Sequence, residues 1–303
     1  MTGKERARAA LQGEKTDRVA RYADVVDPGH LISLGGLGEL ASVRAAKALG
    51  LDMTRAPGLP PVPVPPGAGR SDVKKILDVV LDSFREAADR AADAFLVLME
   101  FPHALLGAMM ARHGAMETLS ILADDPSEAA RRLEEDAEVC VALAEGIASF
   151  QEVEAVLFMD DLAGAQGPFI SPDTLRALYF PRVRHVFDTL ASAGIRVLFH
   201  SDGDVSTIAE DILASGAAGH HPVEAGGNWG LDAASAGNAV LVGNAALGFL
   251  AASESEAAEE GRRCRSFGAR HPRYFMAPAS EIGSEVPLEN ILAFFGLRDG
   301  GGP

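Results

Sequence analysis

IRVLFHSDGDV, residues 195–205, is the stretch that decides the fold. Its first five residues are apolar apart from Arg196 and predict a strand buried in a parallel sheet. The polar residues HSDGD come next, and a helical pattern follows over residues 205–216. Because the carboxyl ends of parallel strands carry the chemistry of α/β proteins, we expect His200 and Asp202 at a functional site.

Seven further apolar segments predict strands, and helical patterns separate nearly all of the eight. This alternation is typical of parallel strands with right-handed crossovers. Eight such strands favour a single (β/α)8 barrel over residues 1–303, the TIM-barrel class of α/β fold, with an open doubly wound sheet as the alternative. The predicted strands are residues 20–25, 51–55, 94–99, 155–159, 195–199, 217–221, 239–243 and 273–277.

The segments between these strands are mainly helical in pattern. Residues 57–69 are the exception, since six prolines in thirteen residues exclude a helix or an inner strand. We interpret them as a polyproline-like excursion at the barrel rim, with a domain linker as the alternative. Pro28-Gly29 predicts a turn. The longer predicted helices are residues 3–12, 72–91, 104–122, 126–150, 172–193, 246–262 and 287–296.

Composition limits the class of partner. The net charge of −16 argues against nucleic acid or an anionic membrane surface. No apolar run reaches the roughly 18 residues of a membrane-spanning helix. Cys140 and Cys264 form no paired pattern, which favours a reducing compartment. We therefore expect a cytoplasmic protein that acts on a small molecule.

Carboxylates and imidazoles follow the predicted strands, and four of the eight histidines lie at or just after a strand end. Groups of this kind, collected in a cleft, suit acid–base chemistry or metal binding. The candidates at the shared barrel mouth are Asp24, Asp27, Glu100, His103, Asp160, Asp161, His200, Asp202, His220, His221, Glu224, Asn244, Ser280 and Glu281.

Several of these residues have a structural alternative. Asp204, beside the group, suits a helix cap. Adjacent strand residues face opposite sides, so only one of His220 and His221 points inward, and the same limit applies to Asp160 and Asp161. No HExxH, CxxC or GxSxG pattern is present, so a metal site needs ligands from separate strand ends.

The order of these motifs resembles the uroporphyrinogen decarboxylase family. The resemblance is carried by MDDLAGAQGPFISPDTLRALYFPRVRHVFDTLASAGIRVLFHSDGDV (159–205) and by GHHPVEA, LVGN and EVPLENI after it. KERARAALQGEKTDRV (4–19) is similar to the start of the family's sequences. The resemblance implies a (β/α)8 barrel.

One branch of that family decarboxylates uroporphyrinogen. Its members carry an arginine-rich motif for the substrate's carboxylates and an Asp that faces the pyrroles. RVARYADVVDPGH (18–30) retains Arg18, Arg21 and Asp24 but lacks the motif's glycine and second arginine. In this alternative, a decarboxylase of uroporphyrinogen or another organic acid, Asp24 stabilises a cationic intermediate and an arginine holds a carboxylate.

The other branch contains methyltransferases that move a methyl group between a small molecule and a corrinoid protein. They bind zinc through a His-x-Cys after this same strand and through a later Cys. His200 matches the histidine, whereas Asp202 and Ser280 stand at the cysteine positions. The thiolate pattern is therefore absent, and His200 and Asp202 with Glu281 or Asp160 form an oxygen-rich alternative for zinc or another divalent metal.

The resemblance to this branch predicts a small-molecule methyltransferase with a corrinoid protein as partner. In it His200 acts as ligand or acid–base group, with Asp202 and Asp160 as partners. The residues predicted to bind substrate are Arg18, Arg21, Asp161, His220, His221, Glu224 and Asn244. A non-catalytic barrel that binds a small ligand is a further alternative. The Ala- and Glu-rich residues 251–261 are typical of a solvated helix face, with a homodimer contact as the alternative.

Overall fold

The computed structural model of the chain describes residues 1–35, 41–55, 70–224 and 237–297. Its helices are α1 (Gly3–Gln12), α2 (Pro28–Ser33), α3 (Ala41–Ala48), α4 (Arg70–Ala91), α5 (Leu106–His113), α6 (Ala115–Asp124), α7 (Pro126–Ala148), α8 (Pro172–Thr174), α9 (Phe180–Ser192), α10 (Ala209–Ala214), α11 (Leu247–Ala252), α12 (Glu254–Gly268) and α13 (Leu288–Phe295). Its strands are β1 (Ala20–Arg21), β2 (Met53–Arg55), β3 (Leu96–Glu100), β4 (Ala155–Met159), β5 (Ala163–Gly164), β6 (Gly167–Pro168), β7 (Arg196–His200), β8 (Gly219–Val223), β9 (Val240–Ala245) and β10 (Tyr274–Pro278).

Eight parallel strands form one sheet in the order β1-β10-β9-β8-β7-β4-β3-β2. A parallel bridge between Tyr22, directly after β1, and Met53 of β2 links the two ends of this order. The result is a nearly closed barrel with surrounding helices, the α/β TIM-barrel fold that the eight apolar segments predicted.

The chain divides into two compact units. Unit 1 comprises Met1–Pro57, Glu86–Leu98 and His221–Pro303, and unit 2 comprises Gly58–Arg85 and Met99–His220. The sheet contains strands of both units, and the single domain over residues 1–303 stays a prediction.

Apolar packing sets the position of β4 and β7 in unit 2. The two strands pair in parallel, with Met159 opposite His200. On their helix-facing side Phe158 packs against Phe187 of α9 with ring centroids 5.1 Å apart, and Phe199 lies 6.1 Å from Phe158. All three rings are fully buried, which stabilises this region by a few kcal/mol per ring. The polar residues that follow the two strands therefore lie side by side at the same edge of the sheet.

All eight predicted strands are present in the main sheet, and their boundaries shift by a few residues. The largest change is in β1, which has two residues instead of six. β5 and β6 form a short antiparallel ribbon that was not predicted. The predicted Pro-rich excursion at residues 57–69 lies outside the described residues.

Three predicted helices and one predicted turn are corrected. Pro28-Gly29 begins α2 because the Asp27 carboxylate accepts the N–H of His30. Residues 104–122 form two helices, separated at Gly114 with φ 84°. Residues 246–262 also form two, since Ser253 caps α12 by accepting the N–H of Glu256.

The third corrected helix, residues 172–193, contains a π-helical turn at Leu175–Tyr179 between α8 and α9. Single π-helical turns are frequent at functional sites.

No helix in the described part of the chain is both long and apolar enough to cross a membrane.

Candidate functional site

Asp161, His200 and Asp202 lie together in unit 2, where β4 and β7 end. Nε2 of His200 is 3.8 Å from Oδ1 of Asp161. One ligand atom from each of the three side chains lies within 4.8 Å of the others. The two carboxylates are exposed and the imidazole is half-buried, so a solute can reach all three.

Hydrogen bonds join the turns that carry this cluster. The N–H of Asp202 donates to Oδ1 of Asp161 at 2.9 Å. The buried hydroxyl of Ser201 accepts the N–H of Leu162 at the same distance and donates to the carbonyl of Asp202. The turn after β4 and the turn after β7 therefore form one hydrogen-bonded structure.

Gly203 brings the turn after β7 against the β5–β6 ribbon. Its φ is +82°, and a Cβ at this position would lie 2.7 Å from the carbonyl oxygens of Ala163 and Gly164. The N–H of Asp204 donates to the carbonyl of Gly164 at 2.9 Å. Asp204 also accepts the N–H of Ser206 and so stabilises the turn. The predicted helix cap at Asp204 is wrong, because α10 begins five residues later and its N-cap residue is Ile208.

Asp160 points away from this cluster and is buried. Its carboxylate accepts the N–H groups of Leu105, Leu106 and Gly107 at 2.7–3.0 Å and the hydroxyl of Tyr179 at 2.8 Å. Burial raises the pKa of Asp160 to about 6, although the four donors favour the charged form. Tyr179 belongs to the π-helical turn, so Asp160 ties β4 to α5 and to that turn.

His103, predicted near the end of β3, contacts the helices of unit 2. Its Nε2 lies 3.0 Å from the buried carboxylate of Asp136 on α7, which also pairs with Arg112 of α5. Cys140 lies beneath them, and burial raises the pKa of its thiol well above the usual value. These contacts hold the middle of α7 against α5 and the segment after β3, and the structure does not bring His103 into the three-residue cluster.

The two adjacent histidines of β8 face different environments. His220, in unit 2, is buried and stacks on Phe199 with ring centroids 6.4 Å apart. Burial lowers the pKa of His220 to about 3, with a smaller contribution from His200. His221, in unit 1, meets the ring of Tyr22 edge to face at 5.2 Å. The substrate-binding role of both residues stays a prediction.

A second polar group lies at strand ends within unit 1. The hydroxyl of Tyr22 donates to Asp24 at 2.6 Å, and Nε of Arg55 lies 3.5 Å from the other oxygen of that carboxylate. Arg55 also donates from Nη2 to Glu281 at 2.7 Å. Glu281, predicted as a metal ligand, thus makes an ion pair with Arg55 and is not among the three clustered donors.

The two arginines predicted to bind substrate are engaged in the fold of unit 1. Arg18 donates to the buried Asp52 at 2.6 Å and to the carbonyl of Gly50. Arg21 lies over the ring of Phe295 and donates to its carbonyl at 2.9 Å. Burial lowers the pKa of Arg21 to about 10. Their substrate contact stays a prediction, and Arg55 is the arginine that lies beside Asp24.

Three further predicted residues lie in or after the strands of unit 1, and Asn244 is one of the last residues of β9. Asn244 is buried and faces α12, where Nη2 of Arg263 donates to its Oδ1 at 2.7 Å and the hydroxyl of Tyr274 lies 3.4 Å away. Glu224 directly follows β8 and is half-buried, and Ser280 is exposed after β10. Their roles at a site stay predictions.

The donor set of the cluster fits a divalent metal. Ligand atoms bonded at about 2.1 Å around a tetrahedral zinc ion are about 3.4 Å apart, so the three atoms need only a small closing movement. Imidazole nitrogen suits zinc, and carboxylate oxygens suit harder ions such as Mn²⁺. His200 and Asp202 were predicted for this role, whereas Asp161 was predicted as a substrate contact and joins them as the third donor.

The fold is a TIM barrel, and its imidazole–carboxylate cluster lies at the carboxyl ends of the strands, where TIM-barrel enzymes carry their active sites. The model of the uroporphyrinogen decarboxylase family matches residues 42–300, and the chain belongs to this family. A solved methyltransferase from Methanosarcina mazei is similar in fold, with a TM-score of 0.76 over 99% of this chain and 98% of that chain at 18% identity. No curated protein matches the sequence.

Proposed function

We propose that the chain is a small-molecule methyltransferase of the uroporphyrinogen decarboxylase family and that Asp161, His200 and Asp202 form its reaction centre. The observation that carries the proposal is the convergence of one nitrogen and two oxygen donors within 4.8 Å. In the resemblance to the methyltransferase branch, His200 stands at the position of the zinc-binding histidine, and Asp202 stands at the position of a cysteine ligand. The similar fold of a solved methyltransferase supports the same choice.

These three residues would hold a divalent cation, which when bound polarises a methyl donor or lowers the pKa of a thiol acceptor. The protein's own contribution is orientation. Asp161 lies beside Nε2 of His200 and also accepts the N–H of Asp202, so it fixes both neighbours. Without thiolates, the centre should bind zinc more weakly than a cysteine site does and accept harder ions as well.

Metal binding is the first test of this proposal. In equilibrium dialysis against Zn²⁺ or Mn²⁺, we expect one equivalent for the unmodified protein and at least tenfold weaker binding for His200→Ala and Asp202→Ala. Asp173→Asn is the matched control, because that carboxylate is 95% exposed on α8 and outside the cluster. Equal binding by all four proteins, or none by the unmodified one, would remove the metal from the proposal.

The proposed partner is a corrinoid protein that carries the methyl group. Methylcobalamin and cobalamin serve as probes, and the absorption spectrum of the corrinoid reports gain or loss of its methyl group. We expect transfer with the unmodified protein in the presence of methyl donors or acceptors and loss of transfer in His200→Ala. Transfer that is unchanged in His200→Ala would contradict the proposed centre.

The two alternatives predict different results. A decarboxylase centred on Asp24 should keep its activity in chelator and in His200→Ala, because Asp24 pairs with Tyr22 and Arg55 in unit 1. A non-catalytic barrel should bind a small ligand without converting it, with or without a metal.

A further inference from the structure

A cavity of unit 1 lies at the amino ends of β9 and β10, away from the carboxyl ends of the strands, where TIM barrels carry their active sites. The end of α1 and the segments before the two strands line it. Its volume is about 170 Å³, with room for several water molecules or one phosphate ion. We propose that this cavity binds the phosphate group of a small molecule, either free phosphate or a phosphate monoester. The inference goes beyond the proposed function and does not depend on it.

Arg273 gives the cavity a positive charge with open donors. Its Nη1 donates to the carbonyl of Leu11, in the last turn of α1, at 2.8 Å. This bond holds the guanidinium in place, whereas Nε and Nη2 have no hydrogen-bond partner among the described residues. The Nε–Nη2 edge of an arginine presents two parallel N–H groups, and this geometry matches two oxygens of a phosphate or carboxylate.

Gly13 keeps this edge of Arg273 accessible. It ends α1 with φ +75°, a left-handed conformation that favours glycine. A Cβ at this position would also lie 2.6 Å from Nε of Arg273 and 3.0 Å from its Cζ. Any larger residue would therefore displace the guanidinium or cover the donor that faces the cavity.

The remaining donors come from the segments that precede β9 and β10. The half-buried ring of His271 packs on Phe267 with ring centroids 4.1 Å apart, and its nitrogens form no hydrogen bond within the described part of the chain. Burial and the neighbouring Arg270 lower the pKa of His271, so the imidazole is uncharged at neutral pH and donates one N–H. Asn238 lines the cavity and is exposed, so a solute can enter from solvent.

The number and placement of these donors favour phosphate over a carboxylate. A carboxylate has two oxygens, and the edge of Arg273 occupies both of them. A phosphate group has further oxygens for His271 and Asn238, which belong to separate segments. Because the net charge of the chain is −16, we expect millimolar binding that weakens as salt is added.

Isothermal titration calorimetry at low ionic strength tests the proposal, with inorganic phosphate, methyl phosphate and acetate as probes. We expect millimolar binding of phosphate and about tenfold weaker binding of acetate. If methyl phosphate binds as tightly as phosphate, the site takes monoesters, and if it binds about tenfold more weakly, the site takes the free ion. Acetate binding as tight as that of phosphate would overturn the assignment of the ligand.

Arg273→Gln should weaken phosphate binding about tenfold or more. Arg265→Gln is the matched control, because Nη1 of Arg265 likewise donates to a carbonyl in the last turn of a helix, that of Phe294 in α13. It makes the same change in charge outside the cavity lining, so it should leave phosphate affinity unchanged. No phosphate binding by the unmodified protein, or equal affinities in these two variants, would overturn the inference.

A second pair of variants decides the question if Arg273→Gln does not fold. Gly13→Ala should weaken phosphate binding about threefold or more, whereas Gly296→Ala should not change it. Gly296 ends α13 with φ +70°, and the nearest described atom would lie 3.9 Å from its Cβ. Both changes therefore strain a helix end in the same way, which thermal unfolding without phosphate verifies. Equal phosphate affinities in the two glycine variants would count against the site.

Discussion

Asp160→Asn is expected to lower the free energy of unfolding by about 2–4 kcal/mol and to abolish metal binding at the neighbouring cluster. The carboxylate accepts hydrogen bonds from three backbone N–H groups and the hydroxyl of Tyr179. An amide of the same shape turns an NH₂ group toward at least one of these donors. The buried donor then loses its acceptor, and α5 and the end of β4 move apart.

Asp161→Asn provides the matched control for that measurement, because it makes the same chemical change at the next residue. Asp161 is 57% exposed, so its variant should unfold within about 0.5 kcal/mol of the unmodified protein in urea. It should nevertheless lose metal binding. Equal destabilisation by the two variants would show that the four hydrogen bonds to Asp160 make no contribution of their own to the free energy of unfolding.

Tyr179→Phe tests the hydrogen bonds to the Asp160 carboxylate separately from the charge of that carboxylate. It removes one of the four donors and leaves the carboxylate, so we expect a loss of about 1–2 kcal/mol in the free energy of unfolding. A neutral effect would indicate that the consequences of Asp160→Asn come from its lost charge alone.

The sequence predicts this fold well where strands are buried on both faces. β4 was predicted with its observed bounds, and β7 within one residue, because each is an apolar run with polar residues after it, interrupted in β7 only by Arg196. β1 was predicted too long, since a local pattern does not show where pairing with β10 stops. Helix breaks at Gly114 and Ser253 depend on single capping residues within otherwise helical patterns.

The local sequence pattern likewise predicts only the part of the site that directly follows a strong strand. His200 and Asp202 follow a strong strand, so their position is visible locally. The partnership of Asp161 with His200 depends on the register of β4 against β7, which no local pattern encodes. The choice between Asp160 and Asp161 depends on where residues 105–107 pack. Arg55 was missed although it ends a predicted strand, because its partners come from sequence-distant strands.

Gly203→Ala is expected to lower the free energy of unfolding by about 2–5 kcal/mol, the sum of a left-handed backbone conformation and an overpacked contact. Its Cβ would lie 2.7 Å from two carbonyl oxygens of the β5–β6 ribbon. The turn has no room to retreat without breaking the hydrogen bond from Asp204 to Gly164, so Asp202 should shift away from His200. Urea unfolding measures the first effect, and metal binding measures the second.

Gly194→Ala isolates the contribution of the backbone conformation. Gly194 has φ +79°, close to the +82° of Gly203, and no described atom lies within 4 Å of the Cβ it would gain. We therefore expect a loss of about 1–2 kcal/mol and unchanged metal binding. The excess loss in Gly203→Ala then measures how closely the ribbon and the turn approach each other. If the two variants lose the same free energy and both keep the metal, the ribbon does not pack on this turn in solution, and the position of Asp202 is set by other contacts, which include its bonds to Asp161 and Ser201.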